Sequence, residues 1–216
     1  VQTCALPISE GLTPEKLCEL MNDYFTPMAD LIQQSKGVLD KYIGDAIMAF
    51  WNAPLPLDNH AEIACRASLD MLFALEKVRE VLKHKGLPMV DIGIGLNTGA
   101  MSVGNFGSPQ RFCYTVMGDE VNLGARLEGA TKDYKVKILI TEKTQKLIRS
   151  KDIFTRDLHD IKVKGKNLPI KIFELMRPDI LRSEKDIQDL IGEFELGRAA
   201  YKAQKWEVAK KHFMAC

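Results

Sequence analysis

Cysteine is sparse and unpaired in this 216-residue chain: Cys4, Cys18, Cys65, Cys113 and Cys216 form no C-x-x-C pair and have no histidine at zinc-ligand spacing. A disulfide framework and a structural zinc site are therefore not expected, and a reducing, cytoplasmic setting is. Long apolar runs are missing too. The longest candidate, Ala46 to Trp51, falls far short of the ~20 residues of a membrane-spanning helix. Charge of one sign is also lacking: 30 basic residues stand against 29 acidic ones, a formal net charge of +1. No global field draws the chain to nucleic acid or to an anionic membrane, so no nucleic-acid partner is expected and any binding must come from local constellations. No secretory leader is legible.

What is present is an ordinary globular composition, 46% hydrophobic and 27% charged, in a chain long enough for one buried domain and an appendage. It starts at Val1 and stops at Cys216 inside a helical pattern. It therefore reads as a piece of a longer protein, in which a sensor or membrane module can precede and helical partners can follow.

Thr13-Pro14-Glu15 is a helix start, with a hydroxyl cap, proline in the first turn and an acid beside it. Leu17, Leu20, Met21, Tyr24, Met28, Leu31 and Ile32 continue it at helical spacing to Gly37. Two β-prone runs follow, Val38 to Ile43 and Ala46 to Trp51, so close together that Gly44-Asp45 must be a hairpin tip. Asp58 or Asn59 caps a helix to about Lys85, and Val90 to Leu96 alternates as a strand. Met101 to Phe106 and Arg111 to Val116 read as strands split by Gly107-Ser108-Pro109; Asp119 caps a helix to about Tyr134. Strand Lys137 to Ile140, a short helix over Thr141 to Arg149, and a hairpin of Ile153 to Val163 with Ile170 to Leu175 complete the pattern. Strands and helices mix without strict alternation, which predicts an α+β fold with helices packed on a mostly antiparallel sheet.

From about Arg177 the texture changes. Residues 177–192 read as a charged linker, and residues 193–216 (Phe194, Gly197, Ala200, Tyr201, Trp206, Ala209, Phe213) as helix, turn, helix. That arrangement resembles the opening of a tetratricopeptide repeat, or else a plain helical extension, since one incomplete unit establishes no period.

Three short elements carry residues capable of chemistry. In the helix after Tyr114, Asn122 and Arg126 lie four apart and share one face, an amide and a guanidinium suited to an anionic, oxygen-rich ligand, or simply a solvated surface. Val163-Lys164-Gly165-Lys166 puts mobile positive charge at a hairpin tip. In LDKYIGDAIMAFWNAP (39–54), Asp45 at a hairpin tip is a hard oxygen ligand of the kind Mg²⁺ accepts, with Lys41 four residues before it.

Together, in this order, the stretches ISEGLTPEKL, LDKYIGDAIMAFWNAP, GIGLNTG, YTVMGDEVNLGARLEG and VKGK resemble the class III nucleotidyl cyclase catalytic domain, the family of adenylate and guanylate cyclases. The resemblance spans about Ile8 to Leu175, with the domain assigned to residues 1–176. It implies a ferredoxin-like βαββαβ core acting as a head-to-tail homodimer with sites at the interface. It also implies conversion of ATP to 3′,5′-cyclic AMP and pyrophosphate with two Mg²⁺ or Mn²⁺ ions per site. Carried over by position, Asp45 matches a metal-binding aspartate, Lys41 and Thr115 the purine-reading pair, Asn122 and Arg126 the pair that positions the ribose and stabilises the transition state, and Lys164 a phosphate-binding lysine. Threonine at 115 is the variant of a bacterial subgroup related to bicarbonate-responsive enzymes, and with Lys41 it favours adenine over guanine.

One departure stands out. Counting back from Ile8, the family's first metal aspartate falls at about Val1, and residues 1–7 show neither it nor the strand before it. Either the protein carries that strand and aspartate and residues 1–7 are an unrelated junction, or the chain is a catalytically inactive cyclase-like dimerisation domain; a guanylate cyclase is a separate alternative. The Gly-Gly-Asp/Glu-Glu-Phe hairpin of diguanylate cyclases is absent, the tip reading Tyr42-Ile43-Gly44-Asp45.

Overall fold

The computed structural model describes residues 2–5, 11–161, 169–178 and 182–216, the first four by their backbone only. Helix α1 (Pro14–Gln34) is built as its sequence requires. The Thr13 hydroxyl accepts from the Lys16 amide, and Leu20, Tyr24, Met28 and Ile32, each four residues on, form its buried stripe. Strands β2 (Val38–Ile43) and β3 (Ala46–Phe50) form the expected hairpin, with Gly44 at φ +63° taking the left-handed turn position. Then come α2 (His60–His84), β4 (Ile92–Leu96), the ribbon β5 (Ser102–Ser108) and β6 (Arg111–Met117), α3 (Asp119–Tyr134), β7 (Ile138–Thr141) and the single turn α4 (Glu142–Gln145). Strands β8 (Phe154–Ile161) and β9 (Ile170–Met176) pair antiparallel, and α5 (Glu184–Lys202) and α6 (Trp206–Ala215) end the chain.

A further strand, β1 (Gln2–Ala5), lies where the sequence pattern assigns no element. It pairs antiparallel with β3 on one side and β4 on the other. The slot between two strands satisfies backbone donors and acceptors on both edges, which outweighs weak local propensity. The seven-stranded sheet runs β2-β3-β1-β4-β7-β9-β8, and only β4 and β7 are parallel. Its first four strands, with α1 and α2 as crossovers, are the ferredoxin-like βαββαβ arrangement, so the α+β expectation holds.

Both faces of the sheet are covered, and alternation assigns them. Ile92, Ile94 and Leu96 of β4 and Ile138 and Ile140 of β7 join the core beneath α1 and α2. Leu139 of β7 and Ile172 of β9 point the other way, against Leu123 and Leu127 of α3. On that second face β4 carries only Gly93 and Gly95. A Cβ on Gly95 would run into the backbone of Gly124 and Glu128, so glycine is what lets α3 lie directly on the strand.

Other boundaries differ modestly. Gly118 caps α3 and Asp119 is its first residue; Ser108 still pairs with Arg111, tightening the ribbon turn to Pro109-Gln110; and the short helix stops at Gln145. Helix α5 begins at Glu184, inside the stretch read as linker, through a capping box between Ser183 and Asp186. It docks on β8: Ile187 is buried, the Arg198 guanidinium donates to the Asp157 carbonyl at 2.7 Å, and Arg156 lies over the Phe194 ring.

Candidate active site

Of the six residues singled out in the sequence, five lie among the described residues; Lys164 lies outside them. Lys41 and Thr115 are brought together, and a residue not singled out joins them. The pairing of β2 with β3 slips between Leu39 and Lys41, so Asp40 is the extra residue of a β-bulge. In a regular strand Asp40 and Lys41 would face opposite ways. At the bulge the Asp40 Oδ1 and Lys41 Nζ sit 3.4 Å apart, and the Thr115 hydroxyl of β6 donates to Asp40 Oδ2. The Asp40 side chain is 0% exposed and Thr115 is 3% exposed, while Lys41 reaches into solvent. Asp40 Oδ1 has no hydrogen-bond partner among the described residues, Lys41 standing at ion-pair distance only.

The chain then turns at Gly118 into α3, whose buried face is Leu123, Gly124 and Leu127. Asn122 and Arg126 are exposed on the opposite side, one turn apart. Thr115, Asn122 and Arg126 are therefore delivered by one continuous strand–turn–helix segment, anchored through Gly95.

Asp45 stands half-exposed at the β2–β3 tip. It acts electrostatically on Glu128, a buried α3 residue whose carboxyl is pushed above its usual range by burial and further by the Asp45 charge, with Lys132 opposing. Among the described residues no group of three or more His, Cys, Asp or Glu side chains is placed to hold a metal.

A cavity of about 210 Å³ lies behind this surface, lined among others by Phe50, Trp51, Asn97, Glu120 and Val121, and includes none of the five described candidates. Its polar end is already satisfied: the Asn97 amide donates to the Glu120 carbonyl and carboxylate at 2.9 and 2.7 Å, and Thr141 donates to Asn97. That network fixes the start of α3 against the end of β4. Sequence reasoning missed both it and Asp40. Nothing in the residue pattern announces a bulge, although an acid immediately before Lys41 was a signal available to it.

A family model described as the adenylate and guanylate cyclase catalytic domain matches residues 6–177. Among curated relatives, an adenylate cyclase of Anabaena cylindrica is 37% identical over 174 residues, covering 78% of this chain and 34% of that protein. The chain spans about a third or less of the length of such curated relatives, 34% of this one and 25% of an adenylate cyclase of Rhizobium meliloti. Among solved structures, the adenylyl cyclase CyaB from P. aeruginosa superposes with a TM-score of 0.75 at 31% identity, covering 84% of this chain and 94% of that one. The guanylyl cyclase Cya2 gives the same TM-score at 30% identity, covering 83% and 91%. Overall likeness is thus equally good to a structure named for each nucleotide.

Proposed function

This chain belongs to the adenylate and guanylate cyclase catalytic domain family, and from that we propose that it is the catalytic domain of an adenylate cyclase, converting ATP to 3′,5′-cyclic AMP and pyrophosphate. The observation that carries the choice of base is the cluster of Lys41 and Thr115 about Asp40. Adenine offers an acceptor at N1 and a donor at its 6-amino group, which a lysine donor and a threonine acceptor can meet; guanine offers the reverse.

In this reading the ribose 3′-hydroxyl attacks the α-phosphorus in line and pyrophosphate leaves. Asn122 orients the ribose, and Arg126 and Lys164 place positive charge where negative charge grows on the phosphoryl oxygens, a step catalysed by positioning and electrostatics. Asp45 would hold Mg²⁺ or Mn²⁺ on the substrate phosphates, where such an ion supplies neutralising charge.

The site is read as shared between two copies arranged head to tail, with Asp45 of one serving the nucleotide read by Lys41 and Thr115 of the other. Tyr42, Ile43, Val103, Phe112, Tyr114 and Met117 support an interface here: all are exposed and all lie on β2, β5 and β6, flanking the base-reading cluster. Helices α5 and α6 would present the start of a repeat array to downstream partners, a sensor or membrane module would supply the regulatory input, and the catalytic domain itself would work in the cytoplasm.

Incubated with Mn²⁺ and ATP, the purified protein is expected to release cyclic AMP and pyrophosphate in equal amounts, with less product from GTP. Binding of ATP by a stable dimer with no pyrophosphate released would instead support a cyclase-like regulatory domain, the reading favoured by the first metal aspartate missing from residues 1–7.

A further inference from the structure

We propose that Asp40 is the positioning residue for base choice: by accepting the Thr115 hydroxyl proton, its buried carboxylate leaves Thr115 only lone pairs for the base, which favours adenine over guanine. This rests on the reading of Lys41 and Thr115 as the base-reading pair.

A threonine hydroxyl carries one donor and two acceptor lone pairs and rotates to suit its partner. Alone it discriminates poorly, accepting from the adenine 6-amino group or donating to guanine O6 with equal ease. An ionised carboxylate can only accept. Placed against Thr115, Asp40 takes the single proton, and the hydroxyl facing the base becomes an acceptor, the role an aspartate at 115 would fill directly.

Three features make the commitment firm. The Thr115 hydroxyl donates to Asp40 Oδ2, with the Asp40 side chain and Thr115 almost wholly removed from solvent, so water competes little for that proton. The bulge that turns Asp40 toward Lys41 and Thr115 interrupts the β2–β3 ladder, a local loss that a merely structural residue does not require. Asp40 Oδ1 is buried without a hydrogen-bond partner among the described residues, an arrangement that costs stability and would be relieved by an apolar side chain of similar size. Lys41 Nζ, 3.4 Å away, balances the charge without being bound in a hydrogen bond to that oxygen. Its protons stay available to an acceptor such as adenine N1.

The test is equilibrium binding of 2′,3′-dideoxy-ATP and 2′,3′-dideoxy-GTP in Mn²⁺ buffer. Both lack the attacking 3′-hydroxyl, so the affinity ratio is read without turnover. The unaltered protein is expected to prefer the adenine nucleotide. In Asp40→Leu the Thr115 hydroxyl is free to donate, and the ratio should fall on the order of tenfold or more, given what a mismatched buried polar group costs. In the exchange variant Asp40→Asn/Thr115→Asp an acceptor-only carboxylate faces the base, and the preference should return.

A purely structural Asp40 would weaken both nucleotides together and leave the ratio alone. An adenine preference that persists in Asp40→Leu overturns the role of Asp40 while Lys41 and Thr115 keep theirs. If Asp40→Leu does not fold, an exchange variant that folds, binds and shows no preference overturns it equally. Failure of the unaltered protein to prefer the adenine nucleotide would remove the base-reading assignment itself, and this inference with it.

Discussion

Arg126 is exposed on α3 one turn beyond Asn122, where its planar guanidinium can fork onto phosphoryl oxygens. An arginine so used acts mainly when charge develops, so Arg126→Ala should lower kcat by on the order of 10³-fold, by analogy with other phosphoryl-transfer arginines. The KM for ATP should change only a few-fold, because other contacts hold the ground state. Steady-state kinetics separates the two. A large rise in KM with kcat intact would make Arg126 a binding residue only. At this scale the candidates were legible as types and spacings. Asp40 was not, because its direction depends on a bulge that arises only when β2 is laid against β3.

Among the elements, β4 is the organiser. Its glycines let α3 approach, its isoleucines face α1 and α2, and its first turn is pinned by charge just before Ile92. There the Asp91 carboxylate accepts from Arg79 of α2 at 2.8 Å, from Lys137 ahead of β7 at 2.7 Å, and from the Ile92 amide at 3.0 Å. Partial burial pushes the Asp91 carboxyl up, but the Lys137 hydrogen bond and the charges of Lys137 and Arg79 outweigh it and hold the group below its usual range. A depressed carboxyl contributes stability that is present above the unfolded value of about 4 and is lost as pH falls through the lower folded value.

Asp91→Asn should therefore cost about 0.5–1 kcal/mol at pH 7, a modest figure because solvent screens a pair this exposed. The gap from the unaltered protein should close below about pH 4. Urea unfolding across that range reads it, and a gap that widens with acid would contradict the assignment. The glycine spacing of GIGLNTG was visible in the sequence as part of a family pattern. That those glycines serve helix packing became visible only with α3 in place.

For the molecule as a whole, the exposed apolar side chains on β2, β5 and β6 support the proposed reading in which one copy is an incomplete unit. If each site draws Asp45 from one copy and Arg126 from the other, Asp45→Ala and Arg126→Ala chains should each be nearly inactive. Mixed and re-equilibrated, they should recover up to about a quarter of full activity, since in a two-fold dimer half the pairs are mixed and each has one intact site. No recovery despite verified subunit exchange would place both residues in the same copy's site.

The sequence by itself determined the local elements, the family pattern and the residue types of the site, because caps, turn glycines and apolar periods act within a few residues and survive any arrangement in space. It also offered the chain for an α+β sheet. Tertiary structure alone decided three things: that residues 2–5 fill the slot between β3 and β4, that α3 rests on bare glycine backbone, and that Asp40 faces Thr115 across 75 positions of sequence. Each depends on edges and bulges that come into being only when distant strands pair, so no local pattern could encode it.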